Sequence, residues 1–138
     1  MATHRKLILI VEDSAIQAQE VRLLLEQEGL QVLWAPNGRA GVEMAWQEKP
    51  DVIVLDLEMP EMNGLEACRL LKQDSRSSQI PIIVLTAHTE TFMVMRGLSF
   101  GALDFIPKDV FSGKVLIETL KAMELLGQKE PGNEEKNG

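Results

Sequence analysis

The sequence predicts an α/β domain with one parallel sheet covered by helices on both faces, and three observations carry that prediction. Residues 7–11, 52–55 and 81–85 are short runs of mostly branched apolar residues without a polar break, the pattern of strands buried on both faces. The segments between them carry apolar residues at helical spacing, so strand and helix alternate along the chain. Each run stops at a polar residue, Glu12, Asp56 or Thr86. Crossovers between parallel strands are right-handed, and the carboxyl edge they share is where open α/β sheets bind ligands.

Taken in order, residues 7–11 form the first strand, and Ser14 is placed to cap a helix with Ala18, Val21 and Leu25 on one face. Gly29 closes that helix. Residues 32–34 are a short strand, and Asn37 then caps a helix with Gly41, Met44 and Ala45 inward, stopped at Lys49-Pro50. The central strand, 52–56, ends in an acid, and Pro60 forbids a further ladder donor shortly after it. Asn63-Gly64 leads into a helix with Leu65, Cys68 and Leu71 inward, followed by a polar connection over 73–79. The fourth strand, 81–85, ends in Thr86. A helix around 90–99 carries Phe92, Met93, Met95 and Leu98 with weaker amphipathic order than the others. Residues 102–106 are the last strand, followed by Pro107-Lys108, and a final helix over 112–126 buries Leu116, Leu120 and Met123. The polar stretch 127–138 has no apolar anchor and reads as a disordered tail or the start of a linker, leaving one domain over 1–126.

Composition narrows the function classes. A formal net charge of −7 argues against a sequence-independent nucleic-acid surface, so no direct nucleic-acid binding is expected. No apolar run approaches the ~18 residues of a membrane span. The run 7–11 is also too short for the apolar core of a signal peptide, so a cytoplasmic protein without membrane insertion is expected. Cys68 is the sole cysteine, which rules out an intramolecular disulfide and makes it a small core hydrophobe.

The strand ends carry the chemistry. Glu12 and Asp13 follow the first strand, Asp56 ends the third, Thr86 ends the fourth, and Lys108 follows the fifth. A parallel sheet gathers all five on one edge. Crowded carboxylates repel one another unless a cation is present, and oxygen donors without His or Cys suit a hard cation, Mg²⁺ above all. A cation, a hydroxyl and an ammonium around one carboxylate match the oxygens of a phosphoryl group. Asp56 is then the nucleophile, yielding an aspartyl phosphate.

At this point the residues resemble the receiver domains of two-component response regulators, over roughly 5–126. The matching motifs are Val11-Glu12-Asp13-Ser14, Asp56-Leu57-Glu58-Met59-Pro60 with Asn63-Gly64, Leu85-Thr86-Ala87, and Gly101-Ala102 through Asp104-Phe105 to Lys108. The resemblance implies a flavodoxin-like (βα)5 sandwich with strand order 2-1-3-4-5. It implies that Asp56 accepts phosphate from a sensor histidine kinase or a phosphotransfer protein, with Mg²⁺ held by Glu12, Asp13, Asp56 and the backbone carbonyl of Glu58. Thr86 and Lys108 would contact the phosphoryl oxygens, and Thr86 and Phe105 would form the switch. The output would be a downstream protein or a self-dimer reached through the 90–126 surface. Such a protein is a phosphoacceptor with slow self-dephosphorylation, not a turnover enzyme. Glu58 and His88 stand where the family flanks the path of attacking water; they could cover the phosphoryl group, supply a base, or remain hydrated bystanders. Receiver domains usually carry Pro directly after the lysine, whereas Lys108 here is followed by Asp109 and preceded by Pro107, which leaves the course of that loop open.

Other classes fit less well. A haloacid-dehalogenase-like phosphatase would carry Asp-x-Asp near its start and a cap domain over the substrate. A flavin-binding flavodoxin would meet repulsion between the acidic edge and the flavin phosphate. The alternative that remains is a receiver working as a phosphorylation-independent docking or dimerisation module.

Overall fold

Strands β1 (Leu7–Val11), β2 (Gln31–Ala35), β3 (Val52–Leu55), β4 (Ile82–Thr86) and β5 (Asp104–Pro107) form one parallel sheet in the order β2-β1-β3-β4-β5. The computed structural model describes residues 5–57, 59, 62–87, 90, 98–99 and 101–125. The helices bounded within the described residues are α1 (Ala15–Gln27), α2 (Gly38–Glu48), α3 (Gly64–Gln73) and α4 (Ser112–Ala122). The expected helix around 90–99, with Phe92, Met93 and Met95, lies almost entirely outside the described residues.

The unbroken apolar strands are explained by what covers them. Ile8, Ile10, Val54 and Ile83 face one layer, where Leu25 of α1 and Leu116 and Leu120 of α4 complete the core. Leu9, Val11, Ile53 and Ile82 face the other, against Ala45 of α2 and Cys68 and Leu71 of α3. Each fully buried Val, Leu or Ile among these contributes roughly 1.5–3 kcal/mol relative to exposure. Capping follows the sequence: the side chains of Ser14, Asn37 and Asn63 accept from the backbone N–H of Gln17, Ala40 and Glu66 at 3.2, 2.8 and 2.9 Å. Gly29 takes the left-handed turn after α1, with φ +86°.

The last strand departs from the expected 102–106. Pairing starts at Asp104 and runs through Pro107, which lies opposite Thr86. Pro107 is tolerated because β5 is an edge strand, where a missing donor leaves no partner unsatisfied. Met123 falls just past α4 and packs against the core only partly buried.

At the far edge of the sheet the α3–β4 connection is anchored by side chains. Arg76 stacks 3.8 Å from the Trp46 ring centroid, and the Trp46 indole donates to Ser77 Oγ at 3.2 Å. Ser77 Oγ donates in turn to the Leu71 carbonyl at 2.6 Å, closing the exit of α3 onto α2.

The buried Cys68 thiol is pushed up to about 11 by burial, with Lys72 opposing. We therefore expect a disulfide reagent at pH 8 to leave native protein unmodified over the time in which urea-unfolded protein reacts fully. Rapid native labelling would show that the α3 layer opens locally.

Candidate functional site

Register places the acids. Val11 pairs with Leu55, so the next residues on the two strands, Glu12 and Asp56, emerge side by side. Asp56 N–H donates to the Val11 carbonyl at 3.0 Å, fixing that juxtaposition. Gly64, the first residue of α3, lets the helix end close over the backbone after Asp56, and its N–H donates to the Leu57 carbonyl at 2.9 Å. A Cβ there would lie 2.2 Å from the Asp56 carbonyl oxygen, so only glycine permits the approach.

Glu12, Asp13 and Asp56 each present an oxygen within 4.8 Å of the others. They line an open cavity of about 340 Å³ together with Ser14, Gln17, Met59, Ala87 and Lys108. Lys108 reaches in from the end of β5, donating to Glu12 Oε1 at 2.6 Å and to Asp56 Oδ2 at 3.1 Å. It also donates to Gln17 Oε1. The carboxylates are the more enclosed partners: side-chain exposure is 7% for Glu12 and 8% for Asp56, against 19% for Lys108. Burial pushes the Glu12 carboxyl above its usual range, and neighbouring Asp56 adds to this, while hydrogen bonds from Lys108 and Ser14 oppose it. Burial pulls the Lys108 ammonium down, but its contacts with Glu12 and Asp56 outweigh that and leave it raised. In this geometry the lysine is the counter-ion of the acid cluster.

Of the five strand-end residues, Glu12, Asp13, Asp56 and Lys108 meet in the cavity. Thr86 is fully buried at the end of β4, directly before the cavity-lining Ala87, and its carbonyl accepts from Lys108 N–H at 2.9 Å. Thr86 pairs with Pro107 and Val84 with Phe105, so Thr86 and the half-buried Phe105 share one face of the sheet, one pair apart. Glu58 and His88 lie outside the described residues. No cis peptide bond occurs among the described residues, and Lys108-Asp109 is trans.

Two residues escaped the sequence reading. Trp34 on β2 donates its indole N–H to the Glu12 carbonyl at 2.7 Å, holding the turn that carries the acid pair. Gln17 contacts Lys108 from the first turn of α1. A tryptophan in a short strand and an exposed amide on a helix carry no local signal of either contact.

Residues 8–121 match the family model described as the response regulator receiver domain. The chain belongs to the response regulator receiver family. This receiver is 40% identical over 116 residues to protein PilH of Pseudomonas aeruginosa, an alignment covering 84% of this chain and 95% of PilH. It is 37% identical to the DNA-binding response regulator MtrA of Mycobacterium bovis, over 95% of this chain but only 56% of MtrA. Among solved structures it resembles the chemotaxis protein CheY4 of Vibrio cholerae, with TM-score 0.80 and 30% identity, covering 86% of this chain and 98% of CheY4. It also resembles the receiver domain of a signal transduction histidine kinase from Syntrophus aciditrophicus, with TM-score 0.79 and 40% identity, covering 91% and 93% of the two chains. The flavodoxin-like architecture and strand order expected from the sequence are those of the receiver. Among its described residues no helix is long and apolar enough to cross a membrane.

Proposed function

We propose that this receiver takes a phosphoryl group onto Asp56 from a histidine kinase or phosphotransfer protein and thereby changes the surface it offers to partners. The observation that carries this reading is the enclosed Asp56 carboxylate with a lysine ammonium at 3.1 Å, at the edge of an open cavity. An Asp56 oxygen attacks phosphorus, the bond from phosphorus to the donor breaks, and the leaving group departs with the electron pair. Lys108 is placed to follow the phosphoryl oxygens as the Asp56 oxygen gives up its charge.

The donor set fits a hard divalent cation, since three carboxylate oxygens converge without nitrogen or sulfur. Glu12, Asp13 and Asp56 would hold Mg²⁺, with the Glu58 carbonyl as the family resemblance implies; bound there, the cation neutralises charge on the transferred group. The Thr86 hydroxyl, buried directly before the cavity rim, is the strand-end hydroxyl that would sense the new oxygens, and Phe105 on the same sheet face is the ring that would respond. Exposed Leu103, Val110, Phe111 and Val115 support the 90–126 segment as the surface that reports the change to a protein target or a second copy. Glu58 and His88 are retained as candidates for setting the lifetime of the phosphorylated state. A cytoplasmic protein, with the receiver over 1–126 and a linker or tail beyond it, is part of the same reading.

The test is direct. Acetyl phosphate with Mg²⁺ should raise the intact mass by one phosphate, and the gain should vanish in Asp56→Asn and under a chelator. Labelling that persists in Asp56→Asn would place the nucleophile elsewhere.

A further inference from the structure

Gln17 stands at a helix position whose usual partner has been given to another residue. Ser14-Ala15-Ile16-Gln17 has the S-x-x-Q pattern of a reciprocal cap, in which the serine bonds the third residue's N–H and the glutamine returns to the serine's N–H. The first half is made, Gln17 N–H donating to Ser14 Oγ at 3.2 Å. The second half is not: Ser14 N–H donates instead to Glu12 Oε2 at 3.1 Å. The Gln17 oxygen is thereby released from the cap, and it accepts from Lys108 Nζ, 91 residues along the chain.

Lys108 has three N–H bonds and three acceptors: Glu12 Oε1, Asp56 Oδ2 and Gln17 Oε1. Two of these belong to carboxylates that the proposed chemistry draws on. Asp56 becomes esterified, and Glu12 belongs to the oxygen cluster that fits a cation. Gln17 is the neutral one. Its oxygen carries no charge to lose and is not among the groups that the proposed chemistry alters. Lysine is a flexible point charge that needs fixed acceptors to be aimed.

We propose that Gln17 is a positioning residue for Lys108, holding the ammonium over Asp56 through the steps in which its carboxylate partners are engaged elsewhere. The proposal rests on the phosphoacceptor reading of Asp56. It gives the exposed amide a role in the rate of phosphoryl transfer, exercised through the lysine and not on the substrate.

The experiment uses Gln17→Met, which keeps length and helix propensity but removes the oxygen, alone and in a Lys108→Met background. The lysine ammonium signals of ¹⁵N-labelled, metal-free protein are recorded first. A Lys108 signal that is distinct in wild type and averaged with solvent-exposed lysines in Gln17→Met is the expected result. Phosphorylation by acetyl phosphate at saturating Mg²⁺ should slow by about threefold to tenfold, the scale of one ordinary net hydrogen bond at a partly exposed site. The Mg²⁺ dissociation constant should stay within about twofold of wild type, and in the Lys108→Met background Gln17→Met should have no further effect. An unchanged ammonium signal, or an equal slowing in the Lys108→Met background, overturns the proposal. Wild-type protein that takes no phosphoryl group on Asp56 would instead refute the reading of the site. The ammonium signal in metal-free protein would then still decide the contact with Gln17.

Discussion

Lys108→Ala is expected to lose about 1–3 kcal/mol of stability in metal-free buffer and to regain most of it when Mg²⁺ is added. Removing one member of a fully buried ion pair costs about 3–5 kcal/mol, because the remaining charge is left without compensation. Exposed pairs are worth only ~0–1 kcal/mol. Lys108 lies between these limits, with 19% side-chain exposure against 7–8% for the two carboxylates it faces. The cavity beside them also admits water, so the cost falls between the two limits and below the fully buried range. Urea denaturation with and without Mg²⁺ measures both numbers. A cation present at about a hundred times its dissociation constant returns ~2.7 kcal/mol, enough to offset the loss. The same variant should take phosphate from acetyl phosphate on the order of a hundredfold more slowly, the usual consequence of losing one donor to developing oxygen charge. A variant as stable as wild type in chelator would mean that water, and not the lysine, satisfies the acid cluster at rest.

Gly64→Ala is expected to be the most damaging single-methyl change at the site, destabilising by about 1–3 kcal/mol and lowering phosphorylation of Asp56 as well. In open space the same change would help, since alanine is better than glycine in a helix by ~1 kcal/mol. The surroundings reverse the sign. The added carbon would lie 2.2 Å from the Asp56 carbonyl oxygen and 2.5 Å from Leu57 Cα, both backbone atoms that cannot rotate aside. Either α3 backs away or the Asp56 backbone shifts, and the second displaces the phosphoacceptor from Lys108. Gly29→Ala is the control: its φ of +86° carries strain but nothing lies within 4 Å of the new carbon. It should lose stability with no change in phosphorylation rate. Equal behaviour of the two variants in both assays would show that the approach at Gly64 does not constrain the site.

Much of this arrangement was legible in the sequence, because burial on both faces leaves strands without polar breaks and because caps use few residue types. Ser14 and Asn37 cap helices where they were expected to, and Asn63 caps the helix that Asn63-Gly64 was expected to lead into. The strand-end acids and Lys108 converge because parallel strands must end on one edge. The rest depends on long-range geometry. Nothing local marks Trp34 as a donor to the Glu12 carbonyl, since an aromatic in a strand is ordinarily just packing. The S-x-x-Q pattern at Ser14 would, if anything, mislead, since its glutamine turns to a lysine from the other end of the domain. The start of β5 was placed two residues early because Ala102 and Leu103 read as apolar strand, whereas Leu103 is 56% exposed and precedes the pairing.

The position of Lys108 also fixes when the domain can be completed during its own synthesis. The contact from Lys108 to Glu12 spans 96 residues and that to Asp56 spans 52, so the neutralising charge leaves the ribosome long after the acids it serves. Until β5 has docked at the sheet edge, a nascent chain holding β1 and β3 together confines Glu12 and Asp56 without their ammonium, which disfavours that pairing by like-charge repulsion. Contacts of such separation close late, after the local helices and their neighbouring strands. A chain cut short before residue 108 therefore lacks the ammonium that offsets its acid pair, and the receiver acquires that neutralising charge in the same step that closes its sheet.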